Sequence, residues 1–256
     1  MRIVSLTCSN TEIVCALGCG EYLVGVDNHS DYPEDIVSVL PRVGPDLQID
    51  IAKVQALKPD IVLASLTVPG HEKIIEGLEQ AKLNYIAPEP ISLEDIYTDI
   101  MSIAVELNVI DRATKLIQKM RNEIITSTEL NVFPAKILIQ WWPKPVIAPA
   151  QQSWVNGLIK AAGGINPLAD RPVKSLPLKD EEVVDINPDA IVIAWCGVKP
   201  DKYRPEVIYR NKTFRCLDAI QNKRIYCISE AYLGRPSPRV VDGYRSLKKI
   251  TAEINN

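Results

Sequence analysis

The chain has 256 residues, a net charge of −3, 46% apolar residues and 24% charged residues, the balance of an ordinary globular protein. That charge excludes the concentrated lysine and arginine on which nucleic-acid binding depends. No apolar stretch approaches the roughly 20 residues needed to cross a bilayer, which excludes a membrane-spanning helix.

Arg2-Ile3-Val4-Ser5-Leu6 reads as a strand with one basic residue before it. No charged region, long apolar core and small-residue cleavage site stand there, so no secretory signal is visible. The chain is expected in the cytoplasm, or in the periplasm or at the cell surface if it begins after a removed signal. Ser9-Asn10-Thr11-Glu12 has the form of a capping box. It opens a helix that Gly18 and Gly20 stop. Residues 22–26 form the next strand, and residues 51–57 a short helix. Lys58-Pro59-Asp60 ends that helix and leads into the apolar run 61–64, the mark of a strand buried on both faces.

From Ser92 to about Leu130 the pattern is helical, without Gly or Pro. Ile96, Ile100, Ile103, Ala104 and Leu107 make one apolar stripe; Ala113, Leu116, Ile117, Met120, Ile124 and Ile125 make a second. A break near Asn108 to Asp111 separates a shorter helix from one of about 20 residues, roughly 30 Å long.

The second half repeats the first. Lys136-Ile137-Leu138-Ile139-Gln140 is a strand; Ser153 caps a helix that stops at Gly163-Gly164; a helix over 181–186 ends at Asn187-Pro188-Asp189 before the apolar run 190–194. Each half therefore runs strand, helix, glycine stop, helix, Pro-Asp, strand, the order of right-handed parallel βαβ units. The expected fold is α/β, two similar Rossmann-like lobes with parallel sheets joined by a long backbone helix. The boundaries fall at 1–90, 91–133 (linking helices) and 134–256. Ser237 and Pro238 open a closing helix.

Ligands of open parallel sheets lie beyond the carboxyl ends of the strands. In the first half that rule selects Cys8, then Asn28, His29, Asp31 and Tyr32, then Ser65 and Leu66. In the second it selects Trp141 and Trp142, then Trp195, then Glu230 and Tyr232, with the capping stretch before Trp154 facing the same way and Arg235 close behind. All four tryptophans fall in these places, where flat apolar ligand surface is best served. A ligand cleft between the two halves is the reading these positions support.

Chemistry is not assembled by any motif. The chain has no Gly-rich phosphate loop, no G-x-S-x-G and no H-E-x-x-H. His29 beside Asp27 and Asp31 reads as a polar turn. The six cysteines, Cys8, Cys15, Cys19, Cys196, Cys216 and Cys227, show no C-x-x-C pair. They read as free, mostly buried thiols of a reducing compartment rather than a disulfide scaffold or metal site. The expectation is a non-enzymatic binding protein without a resident cofactor or metal.

Ser9-Asn10-Thr11-Glu12-Ile13, Leu23-Val24-Gly25-Val26, Asp31-Tyr32-Pro33, Leu40-Pro41-Arg42-Val43-Gly44 and Leu57-Lys58-Pro59-Asp60 together resemble the class III (helical-backbone) substrate-binding proteins of ABC transporters. Ala162-Gly163-Gly164, Asn187-Pro188-Asp189 and Ser237-Pro238-Arg239 extend the likeness over nearly the whole chain. Asp31-Tyr32-Pro33 and Arg235-Pro236-Ser237-Pro238-Arg239 look most like the cobalamin-binding branch. The resemblance implies a metal chelate as ligand, cobalamin or another corrinoid first. A ferric siderophore or haem is the alternative, for whose negative charge Lys144, Arg204 and Arg235 are at hand. It also implies docking to an ABC permease through one glutamate on each lobe, matched here by Glu72 and Glu181; a cytoplasmic carrier or sensor of such a chelate is the other role. Where that branch often carries tryptophan, this chain has Ser65-Leu66 and the turn Ser175-Leu176-Pro177.

Overall fold

A computed structural model of the chain describes residues 1–125 and 134–255. It divides into two compact units, Met1–Pro90 with Glu94–Lys119, and Ile91–Leu93 with Met120–Asn256.

The first unit opens with β1 (Ile3–Ser5) and α1 (Cys8–Ala16), followed by β2 (Leu23–Val26) and α2 (Glu34–Val37). Then come α3 (Ile51–Ala56), β3 (Ile61–Leu63), α4 (Glu72–Gln80) and β4 (Tyr85–Ile86). Its four strands form one parallel sheet in the order β2-β1-β3-β4. β1 and β3 are buried throughout, which is why their sequences are continuous apolar runs. Val4 and Val62 share a core with Val54, Ile74 and Leu78 from the helices.

Two fourteen-residue helices follow, α5 (Leu93–Glu106) and α6 (Ile110–Glu123). The break between them falls where the sequence places it, with Asn108 at φ 56°. The stripe from Ile96 to Leu107 is buried as expected. The second stripe is interrupted, because Ile125 is 62% exposed beyond the last turn of α6. The rest of the expected longer helix, and the boundary at 133, lie at or outside the edge of the described residues. Arg112 of α6 donates to Leu17 O and Gly18 O, both at 3.0 Å, placing a cation on the carbonyl end of α1.

Asp99, half-buried on α5, has its pKa pushed up to about 7, by burial first and by Asp95 second. A carboxyl raised in the folded state holds its proton longer than in the unfolded chain. Its contribution is therefore full below about pH 4 and is lost as pH rises through about 7. Asp99→Asn is expected to flatten that slope and to stabilise the protein at pH 8 by about 1–2 kcal/mol, allowing for solvent screening. Urea unfolding at pH 5 and pH 8 checks this; equal stability of the two proteins at pH 8 contradicts it.

The second unit carries β5 (Ile137–Gln140), β6 (Trp142–Pro143), β7 (Val146–Pro149), α7 (Trp154–Ala161), β8 (Ser175–Leu178), α8 (Asp180–Ile186) and β9 (Ala190–Ile193). α9 (Glu206–Tyr209), α10 (Asp218–Gln221), β10 (Ile225–Cys227), α11 (Glu230–Leu233) and α12 (Val240–Asn255) complete it. β10, β9 and β5 pair in parallel in that order. A second, antiparallel sheet, β6-β7-β8, is a finding the sequence did not announce. Lys144-Pro145 turns the β6–β7 hairpin, and Ser175-Leu176-Pro177, read as a turn, lies in the edge strand β8, where a proline is tolerated.

The Pro-Asp echo has one structural cause in both units. Lys58 and Asn187 adopt left-handed φ of 48° and 43° and end α3 and α8. Asp60 Oδ2 then accepts the backbone N–H of Arg2, and Asp189 Oδ2 that of Lys136, each at 2.7 Å. The basic side chains in front of β1 and β5 close the same turn from the other side. Arg2 Nη2 donates to Leu57 O at 2.6 Å and Lys136 Nζ donates to Ile186 O at 2.9 Å. Each Pro-Asp thus locks the entry of the first strand to the exit of the helix before the next.

The capping box is a correction. α1 begins at Cys8 with Thr7 at its N-cap, so Ser9 to Glu12 are buried inside the helix. Tertiary partners outcompete the local cap: Thr11 Oγ1 donates to Ser5 Oγ at 2.8 Å and Asn10 Nδ2 donates to Ala64 O at 2.6 Å. The thiols are also corrected: none of the six is in a disulfide, but only Cys19 is buried, Cys8 and Cys15 are intermediate, and Cys196, Cys216 and Cys227 are exposed.

Candidate functional site

In the first unit the loop after β2 is organised by Asp27, which is fully buried. Its carboxylate accepts the backbone N–H of His29 at 2.8 Å and the Ser30 hydroxyl. Burial raises the Asp27 carboxyl above the usual range, and these two hydrogen bonds oppose the rise. The loop is held from outside by Arg42, whose guanidinium donates to Asp27 O, Ser30 O and Val37 O at 2.6–3.1 Å. Asn28 N–H donates to Gly44 O at 2.8 Å. So fixed, the loop leaves Asn28, His29, Asp31 and Tyr32 exposed.

Both histidines of the chain approach one carboxylate. His29 Nε2 lies 3.7 Å from Asp46 Oδ1, and His71 Nε2 lies 4.0 Å from Asp46 Oδ2. Cys8 starts α1 at the end of β1. Ser65, after β3, is buried and shares a hydrogen bond with Thr67 at 2.9 Å, and Leu66 N–H donates to Pro88 O.

In the second unit the carboxyl ends of β5, β9 and β10 carry a connected aromatic and polar group. Trp195 is 6% exposed; its indole N–H donates to Gln140 Oε1 at 2.9 Å, and its ring meets Tyr203 edge-on at 5.7 Å. The Tyr203 hydroxyl accepts the backbone N–H of Glu230 at 3.0 Å. Glu230 in turn is paired with Arg235, Nη2 to Oε1 at 2.6 Å. Cys196 is exposed as a residue, but its Sγ is turned towards Gly234; packing there first, and the Glu230 carboxylate second, push the thiol pKa up to about 12 against the pull of Arg235.

The four tryptophans divide in their settings. Trp154 is buried and donates to Leu233 O at 3.0 Å. Trp141 packs on it at 6.1 Å between ring centroids, with a buried Nε1 that has no hydrogen-bond partner among the described residues. Trp142, on β6, is 43% exposed. Tyr232 lies under the Arg239 guanidinium, 4.9 Å from its ring centroid.

Glu72 and Glu181 are both exposed, each in the first turn of its helix. Glu182 beside the latter is committed to the helix end, accepting Lys179 N–H at 2.8 Å. Asp46, Arg42, Gln140 and Tyr203 belong to these groups and were not read from the sequence. Their partners are distant along the chain; only the strand-end position of Gln140 signalled it.

Among the described residues, no group of three or more His, Cys, Asp or Glu side chains is arranged to hold a metal ion, and no helix is long and apolar enough to cross a membrane.

The periplasmic binding protein family model matches residues 3–232. The chain is 27% identical over 254 residues to an uncharacterized ABC transporter substrate-binding lipoprotein, YvrC, of Bacillus subtilis, covering 96% of this chain and 78% of the relative. It is 27% identical over 248 residues to a vitamin B12-binding protein of Vibrio cholerae, covering 94% of this chain and 85% of that one. Among solved structures, the periplasmic heme-binding protein RhuT from Roseiflexus sp. RS-1 superposes with a TM-score of 0.83 at 26% identity, over 100% of this chain and 99% of the other. The family match spans both α/β units, and this chain is a member of the periplasmic binding protein family, whose members bind substrates for transport rather than convert them.

Proposed function

We propose that this protein captures a metal chelate, cobalamin or a related corrinoid, and delivers it to an ABC importer. The strand-end loops of both units supply the contacts. The observation that carries this reading is the group of Trp141, Trp142, Trp195 and Gln140 at the carboxyl ends of the second unit's strands. Trp142 is exposed and Trp141 partly so, backed by Trp195 and Gln140, which are buried and bonded to each other; the accessible rings offer uncharged apolar surface, which suits a large macrocycle rimmed with neutral polar groups. The likeness to vitamin B12-binding proteins along 94% of the chain supports it. Adding cobalamin to the purified protein is expected to shift the visible band and quench tryptophan fluorescence at micromolar ligand. Unchanged fluorescence from a folded protein counts against the reading.

Haem or a ferric siderophore is the second reading, favoured by the structural likeness to a heme-binding protein. A Soret shift on adding haem, with no response to cobalamin, would select it.

Delivery rests on Glu72 and Glu181, two exposed carboxylates on separate units that can orient the protein on a basic receptor surface. Reversing both charges, Glu72→Arg with Glu181→Arg, is expected to lower uptake by a reconstituted transporter at least about tenfold while leaving ligand affinity unchanged. Undiminished uptake sinks the docking assignment. Capture on this reading happens on the side of the membrane from which an importer takes its cargo; the names of relatives, lipoprotein and periplasmic, support it.

A further inference from the structure

The strand-end loops carry arginines, and Arg42, Arg204, Arg235 and Arg239 are each already engaged, while Lys144 stands exposed in the β6–β7 turn, away from the Glu230–Arg235 pair in the chain. In the second unit Arg235 puts both Nε and Nη2 on one carboxylate oxygen, Glu230 Oε1, at 3.0 and 2.6 Å, with side chains only 10% and 14% exposed. Arg204 donates to Asp201 O and Tyr203 O at 2.9 Å each, and Arg239 lies over Tyr232. Gly234 leaves room for the arrangement: a Cβ there would stand 3.1 Å from Glu230 Oε2 and 3.5 Å from Cys196 Sγ. In the first unit Arg42 is spent on three carbonyls, while Asp31 and Asp46 stand at the same loops.

A guanidinium paired with an internal carboxylate forms a unit with no net charge. A chelate rimmed with carboxylates would have to displace Glu230 and leave one anion unpaired in a desolvated place, whereas a carboxamide rim needs no displacement. We infer that Glu230 determines specificity: by neutralising Arg235 from within, it makes the second unit select chelates with an uncharged, amide-bearing rim over those bearing carboxylates. This rests on the proposed function and names the rim chemistry of the ligand it takes.

The test is the ratio of dissociation constants for haem, with its propionates, and cobalamin, with its carboxamides. Measurements use the full chain, with circular dichroism to establish folding. Glu230→Gln keeps the shape and uncovers the cation, so the ratio is expected to move towards haem at least about tenfold. Arg235→Gln leaves Glu230 uncompensated and is expected to move the ratio the other way, which keeps the inference testable should the first variant misfold. In Glu230→Gln/Arg235→Gln the gain for haem is expected to vanish. A ratio unchanged by the single variants, or a gain that survives in the double variant, overturns the inference while leaving the proposed function standing. Wild-type protein that binds neither chelate overturns the proposed function and the inference together.

Discussion

Trp195→Ala is expected to destabilise the protein by about 3–5 kcal/mol, the range for truncating a buried tryptophan. The side chain is 6% exposed, so truncation leaves a cavity rather than a surface dent. It also takes the indole donor from Gln140 Oε1, and Gln140 is itself only 2% exposed. An unmet acceptor in such a place adds to the cavity term. The edge-on contact with Tyr203 is lost as well, and Tyr203 holds the backbone N–H of Glu230. Trp195→Phe separates these effects: it keeps most of the volume and loses the hydrogen bond, for an expected loss of about 1–2 kcal/mol. Chemical unfolding followed by circular dichroism reads both variants. A Trp195→Ala loss below about 1 kcal/mol would mean that the side chain is not part of the packed group.

Gly44→Ala is expected to cost about 3 kcal/mol and to weaken ligand binding through the loop after β2. Gly44 has φ +119°, and a Cβ there would meet Gln48 O at 2.5 Å and the Ile49 Cα at 3.3 Å. Both are backbone atoms, so no rotamer change relieves the contact. The segment is tied down on each side: Val43 N–H donates to Val26 O at 3.0 Å, and Asp50 N–H donates to Val43 O at 2.8 Å. Gly44 O accepts Asn28 N–H, so a shift at Gly44 moves the loop that displays His29 and Tyr32. Gly197 is the control. Its φ is also left-handed, +70°, but nothing lies within 4 Å of its Cβ position, so Gly197→Ala should cost only about 1 kcal/mol. Equal losses in the two variants would show that backbone strain, not the clash with Gln48, sets the penalty.

The repeat was legible because its signal is local. Pro59-Asp60 and Pro188-Asp189 each end a helix and supply the carboxylate that closes the next strand's entry, so one dipeptide reports a whole junction. Strand ends follow from the same local signals, and Trp141, Trp195 and Glu230 stand just beyond β5, β9 and β10. Local signals failed where a distant partner won. Ser9 to Glu12 have the form of a cap, yet Ser5 and Ala64 draw Thr11 and Asn10 inside the helix. The hairpin of β6 and β7 was hidden because prolines at 143, 145 and 149 break the alternation that marks a strand. Asp46 carries no sequence mark at all; its meaning comes from His29 and His71, reached from separate loops. Glu230 and Arg235 each stand out in the sequence, but their pairing across the turn at Gly234 does not.

Corrinoid binding by this chain is tested by native mass spectrometry of the ligand-free protein, offered equal amounts of cobalamin, haem and a ferric siderophore. One cobalamin per chain, retained at low micromolar concentration and in preference to the other two, is the expected result. A folded protein that passes over cobalamin and retains haem or the siderophore, or that retains none of the three, would contradict it.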